Sequence, residues 1–113
     1  MSIEFGTAVA EDVPQLVELL GILFAQEHEL SPDAEKQRRA LEMILADPSR
    51  ARIYVVREGV KVVAMAALHF TTSTAEGGKV AGLEDCVVRP EYRRKGVGKA
   101  LLASTVLFRK VQG

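Results

Sequence analysis

The stretch Leu83–Leu102, LEDCVVRPEYRRKGVGKALL, decides how this chain reads. Leu83 to Val88 is a short apolar run interrupted by Glu84 and Asp85, the pattern of a buried or half-buried strand. Pro90 has no backbone N–H to give a ladder and biases Arg89 to an extended conformation, so the strand ends there. Arg93, Arg94 and Lys95 then precede Gly96-Val97-Gly98, and Lys99-Ala100-Leu101-Leu102 opens a helix of good formers. A helix N-terminus presents unpaired N–H groups and about half a positive charge. Glycines let that backbone approach a ligand, and three consecutive cations stand beside it. The natural guest is a pyrophosphate. The competing reading is a loop with a solvated basic run. A bare Gly-x-Gly would not decide between them; the strand before it and the helix after it favour the anion site.

Upstream of this stretch the chain reads β-α-α-β-β-β-α. Ile3 to Val9 alternates weakly, as a first strand. Glu11 and Asp12 mark a helix start with Pro14 in its first turn, and Val13, Leu16, Val17, Leu20, Leu23 and Phe24 recur at helical spacing. Ser31-Pro32-Asp33 begins a second helix, to Ala46, with sparser apolar positions and therefore more exposure. Arg52–Arg57 is a strand, Glu58-Gly59 a turn, and Val60–Phe70 a long β run. Thr71 to Gly78 is a polar hairpin loop before the strand Val80–Val88, and a third helix runs from Gly98 to Lys110. Short connections make strands two to four antiparallel neighbours. The fold class is α/β (α+β), a mainly antiparallel sheet flanked by helices.

The 113 residues form one domain, 1–113, with 48% apolar and 27% charged residues, as in an ordinary soluble globular protein. The net charge of zero is unevenly spread: residues 1–47 hold ten acids and three bases, residues 88–113 one acid and seven bases. That suits a cationic substrate on one side and an anionic cofactor on the other, against the plainer reading of two solvated acidic helix faces. The basic patch is short and lacks interleaved aromatics, which argues against nucleic acid. Cys86 is the single cysteine, which fits a reducing compartment, and MSIEFGTAVAED has neither the basic nor the apolar region of a signal peptide. No run of about 18 apolar residues suggests a membrane span. These features place the chain in the cytoplasm. One Cys and two distant His give no metal-ligand spacing.

Arg93-x-x-Gly96-x-Gly98, preceded by E-D-x-x-V-x-P-E-Y, resembles the acetyl-CoA-binding motif of the GNAT superfamily of N-acetyltransferases. The Glu84-Asp85 pair looks most like the branch that includes diamine and other small-amine acetyltransferases. The resemblance is strongest over residues 80–110 and collinear from residue 3. It implies acetyl transfer from acetyl-CoA to the primary amine of a small molecule, by direct attack. It implies that Arg94, Lys95, Gly96, Val97 and Gly98 hold the pyrophosphate, with Lys99 at the helix start and Arg93 at the family's arginine position. Main-chain groups of Cys86, Val87 and Val88 would pair with the pantetheine arm. The Val88 N–H would polarise the thioester carbonyl.

An ammonium must lose a proton before it can attack, and Glu84 is the candidate base or amine-binding group. Period two puts Glu84, Cys86 and Val88 on one face. The plainer reading is that Glu84 or Asp85 pairs with a basic neighbour. Glu27, His28 and Glu29 lie where the resemblance puts the border of the acceptor site, although a frayed polar helix end reads the same way. His69, Tyr54 and Cys86 read as strand residues. The family fold continues with a fifth strand, a fourth helix and two further strands, whereas this sequence stops at Gly113. The expectation is therefore a partial domain whose motif strand is an open edge: either a fragment of a longer enzyme, or a chain whose sheet is completed by a second copy in a homo-oligomer. A non-catalytic CoA-binding or oligomerisation module is the alternative function.

Overall fold

Strand pairing follows the hairpins. In the computed structural model, which describes residues 2–27 and 32–103, β1 (Glu4–Thr7), β2 (Ala51–Glu58), β3 (Lys61–Ser73) and β4 (Gly78–Val88) form one sheet in that order. All three pairings are antiparallel. The β3–β4 hairpin continues further than expected: residues 71–73 and 78–79 pair, leaving only 74–77 for the turn. The threonines there are good strand residues, which explains the extension. The first strand is shorter than the alternation suggested.

β2 and β3 sit in the middle of the sheet and are buried on both faces. Ile53, Val55, Val62, Met65 and Ala67 face α1 (Val13–Ala25), whose Val13, Leu16, Leu19 and Leu20 fill that core with Leu41 of α2 (Ala34–Ala46). Fully burying each such leucine contributes about 2 kcal/mol. α2 buries Leu41 alone, as its sparse apolar pattern implied. Its start is capped by Asp33, whose carboxylate accepts the Lys36 N–H at 3.2 Å.

Tyr54, Val56, Val63, Ala64, Ala66 and Leu68 face the other way and meet Tyr92, Val97 and Leu101. Val97 begins α3, of which residues 97–103 are described. Residues 104–110 of the expected third helix lie outside the described residues, as do His28 and Glu29. Among the described residues, no helix is long and apolar enough to cross a membrane.

Two arginines, the part-buried Arg57 and the buried Arg89, join the layers. Asp12 belongs to a 3-10 turn at Ala10–Asp12 that leads into α1, so the acidic pair precedes the helix proper. Its carboxylate accepts the Val9 N–H at 2.7 Å and Arg57 Nη2 at 2.6 Å. The Arg57 guanidinium holds the Asp12 carboxyl below the usual carboxylate range. Arg89, at the end of β4, donates from Nε to the Val62 carbonyl at 2.7 Å and from Nη2 to Glu18 of α1 at 3.4 Å. This clamp fixes where the chain leaves the sheet for the basic loop.

Candidate active site

The site is built on the last turn of β4, the loop after it and the start of α3. Arg89 N–H donates to the Val63 carbonyl at 2.9 Å, while Val88 stands opposite Ala64. In an antiparallel ladder this makes Ala64–Val88 a non-hydrogen-bonded pair, so Val88 directs its own N–H and C=O away from β3. The carbonyl accepts Arg93 Nε at 3.1 Å. Arg93 thus braces the strand end. Among the described residues no strand pairs with the outer edge of β4, so the Val88 N–H faces an open edge.

Beyond Val88, a 3-10 turn at Pro90–Tyr92 reverses the chain. Tyr92 is buried, and its hydroxyl donates to Glu58 at 2.6 Å, which makes it a structural anchor of the loop. Lys95 lies 5.8 Å from the centroid of the Tyr92 ring. Arg94 and Gly96 take left-handed backbone, at φ 64° and 78°. Glycine adopts that conformation freely, whereas at Arg94 it costs about 1 kcal/mol. Ala100 N–H gives the first helical bond, to the Gly96 carbonyl at 3.0 Å. Among the described residues, the N–H groups of residues 94–99 have no backbone acceptor.

A Cβ at Gly98 would stand 3.3 Å from Val88 Cγ2, so the helix start packs close against the strand end. The loop thus offers N–H groups without a backbone acceptor beside exposed Arg94 and Lys99, and its helix start packs against the Val88 side chain. Such donors fit a diphosphate.

The strand itself departs from simple alternation. Glu84 stands opposite Ala67, and Val87 opposite Met65, so two β4 residues, Asp85 and Cys86, face one on β3. This is a β-bulge, with Asp85 in left-handed backbone at φ 51°. It overturns the shared face expected for Glu84, Cys86 and Val88. Glu84 and Val87 pair with residues of the α1 face, whereas Val88 pairs with Ala64 of the opposite face. The extra residue shifts the period by one.

The bulge brings a second carboxylate to the site. Asp85 lines a cavity between the helices and the sheet. Burial pushes its carboxyl above the ordinary range, with Glu84 and Glu27 adding to the rise and His69 opposing it. His69, two residues beyond Ala67 on β3, brings Nε2 to 3.7 Å from Glu84 Oε2. The donor atoms of His69, Glu84 and Asp85 all lie within 4.8 Å of one another.

Sequence spacing offered no metal site, yet this cross-strand trio is a donor set that could accept a cation, organic or divalent. Neither Asp85 nor His69 was separable from an ordinary strand residue by linear spacing. The available signal was two adjacent acids inside an apolar run, which fits a bulge better than a flat strand. Cys86 is exposed, and partial desolvation raises its thiol pKa, which disfavours the thiolate a nucleophile needs.

The acetyltransferase (GNAT) family profile matches residues 13–106. No curated protein matches the sequence. Among solved structures, the chain is similar to a possible acetyltransferase from Clostridium difficile 630, with a TM-score of 0.86 and 21% identity over 96% of this chain and 71% of that one. It is 32% identical to an integron cassette protein from the mobile metagenome of Cole Harbour Salt Marsh, with a TM-score of 0.83 over 91% of this chain and 67% of that one. A predicted acetyltransferase with acetyl-CoA from Clostridium acetobutylicum gives a TM-score of 0.80 and 19% identity over 98% and 75% of the two chains. Matched over most of its length by the family profile, the chain belongs to the GNAT family of acetyltransferases.

Proposed function

We propose that the protein transfers an acetyl group from acetyl-CoA to a primary amine of a small molecule, by direct attack of the amine. One observation carries this reading: the bulge sets Glu84 and Asp85 on the helix-covered face, next to a strand end whose Val88 N–H points into an open edge. When bound, acetyl-CoA supplies a thioester whose acyl carbon accepts the amine as the C–S bond breaks.

The residues divide the work. N–H groups of Arg94 to Gly98, with Lys99, hold the diphosphate. An extended pantetheine arm would follow the open edge, where Val88 presents its N–H and C=O; Val87, opposite Met65, turns its own main-chain groups toward β3 by the same alternation, and Cys86 lies in the bulge before it. Arg93 keeps Val88 in place through its carbonyl, and the Val88 N–H offers a hydrogen bond where negative charge develops on the thioester oxygen. Glu84 takes a proton from the ammonium, and Asp85 shares in holding the cation. The released thiol takes one proton and solvent the other, so charge and atoms balance.

Thiol release from acetyl-CoA, followed with a panel of amines, tests the reading. Glu84→Gln should lower kcat/KM at least 100-fold while acetyl-CoA binding stays within about twofold. Unchanged turnover in Glu84→Gln would remove Glu84 from the base role.

A second reading is favoured by the outer edge of β4, which no strand pairs among the described residues. Two copies could pair along it and form a homo-oligomer with a remodelled site, or serve as a CoA-binding module without catalysis. The single cysteine and the use of acetyl-CoA also suit a cytoplasmic protein.

A further inference from the structure

A cavity of about 260 Å³ lies behind the carboxylates, between α1, α2 and the sheet. Its walls are apolar: Ile53, Met65 and Ala67 on the sheet, and Leu20, Phe24 and Ile44 on the helices. Asp85 is the one carboxylate among its described lining residues, and Lys36, exposed on α2, is the one cation.

We propose that this cavity receives the carbon skeleton of the acceptor, and that the acceptor is a singly charged primary amine on an apolar alkyl or aryl arm. The inference rests on the amine-acetylation reading and narrows its substrate class.

The half-buried Asp85 carboxylate lacks full hydration, and an ammonium placed against it restores a partner to the charge. Of the groups that act on Asp85, Glu84 and Glu27 deepen the negative potential, while His69, which sits on the Glu84 side, opposes them. An arm extending away from Asp85 meets hydrocarbon. A second ammonium, as in a polyamine, would be placed among apolar side chains or toward Lys36, losing hydration or meeting like charge. Among the described lining residues, sugar hydroxyls would find Gln37 and Lys36 beside Asp85 but hydrocarbon elsewhere, and a phosphate drawn to Lys36 would meet the like charge of Asp85. With a water's share of liquid volume at about 30 Å³, the space equals roughly eight or nine waters, enough for a phenethyl or hexyl arm.

The 113-residue protein is titrated by calorimetry at pH 7.5 with phenethylamine, methylamine and spermidine, with acetyl transfer to each measured in parallel. Phenethylamine should bind at least tenfold more tightly than either of the others. Ala40 lines the cavity from an exposed position on α2. Ala40→Phe should therefore fill the space with little effect on the melting temperature. It should weaken phenethylamine at least tenfold and leave methylamine within twofold. Lys36→Glu should improve spermidine relative to phenethylamine. Spermidine binding as tightly as phenethylamine, no binding of phenethylamine, or indifference to Ala40→Phe would each overturn the inference. Transfer to spermidine in preference to phenethylamine would overturn it too while leaving amine acetylation standing. Absence of transfer to every amine would instead count against the reaction, with the binding pattern still deciding the cavity.

Discussion

Asp85 carries a conflict between stability and function. Its carboxylate is half-buried, its pKa is raised mainly by burial, and its backbone is left-handed at φ 51°. A carboxyl whose folded pKa lies above its unfolded value favours the fold when protonated. Charging it opposes folding as pH rises through the folded pKa. Asn adopts left-handed backbone readily and carries no charge. Asp85→Asn should therefore raise the melting temperature at pH 7 and give no gain below about pH 3.5, where the unfolded aspartate is also mostly protonated. The same change should weaken amine binding. Thermal melts across pH, paired with amine titrations, check both; a lower melting temperature at pH 7 would contradict the strain assigned to the charged form.

Asp12 has the opposite sign. Its folded pKa is lowered, first by the hydrogen bond from Arg57, so its contribution is present above the unfolded pKa and is lost as pH falls through the folded one. Its side chain is only 6% exposed, so Arg57→Ala leaves a carboxylate buried without its partner. The expected cost is about 3 kcal/mol, the low end for breaking a buried pair because Arg57 itself is partly exposed. Denaturant unfolding at pH 7 and pH 3 checks this, with the difference between wild type and variant shrinking at the lower pH.

Among the elements, β4 shows what a linear reading can and cannot deliver. The apolar run, Pro90 and the glycines define strand, stop, loop and helix start, because each acts on its own backbone. The α1 face was legible from Leu16, Leu20 and Phe24, since helical periodicity needs no partner. The bulge was not legible. Whether two residues of one strand oppose one of its neighbour depends on the pairing, and period two assumes that they do not. Thus Glu84 was identified as a candidate acid, but its face and its companions Asp85 and His69 emerge only from the register with β3. The Arg89 clamp was hidden for the same reason, because Glu18 and Val62 lie far from it in sequence.

The close approach of α3 to β4 is a further property of elements. A methyl at Gly98 would stand 3.3 Å from Val88 Cγ2, so Gly98→Ala must displace either the helix start or the strand end by a few tenths of an ångström. Acetyl-CoA affinity should fall about three- to tenfold with the fold retained, because donors on both elements converge on one ligand. Titration calorimetry checks it, and unchanged affinity would mean that the loop and Val88 do not act together.

Across the whole molecule, acids are concentrated in the first 47 residues and bases in the last 26; of those acids, Glu18 meets Arg89 at the end of β4 and Glu27 acts on Asp85. The basic loop lies on one side of Val88 and the carboxylates on the other, which suits an anionic donor and a cationic acceptor arriving from different directions. The open edge of β4 extends the same geometry outward. If two copies pair there, light scattering on a sizing column should give a dimer mass near 25 kDa, twice the 12.3 kDa chain. A monomer at high concentration would exclude that pairing.

The central claim is that residues 93–99 hold the diphosphate of acetyl-CoA against the end of β4. Titration calorimetry with acetyl-CoA, on wild type and on Gly96→Asp, tests it most directly. Gly96 sits in left-handed backbone at φ 78° among the N–H groups without a backbone acceptor, so aspartate there adds a side chain, strain and a negative charge where a phosphate must come. Micromolar binding by the wild type and a loss of at least 30-fold in the variant are expected. Binding that survives Gly96→Asp within a few-fold, or a wild type that gives no heat and no competition with CoA, would contradict the claim.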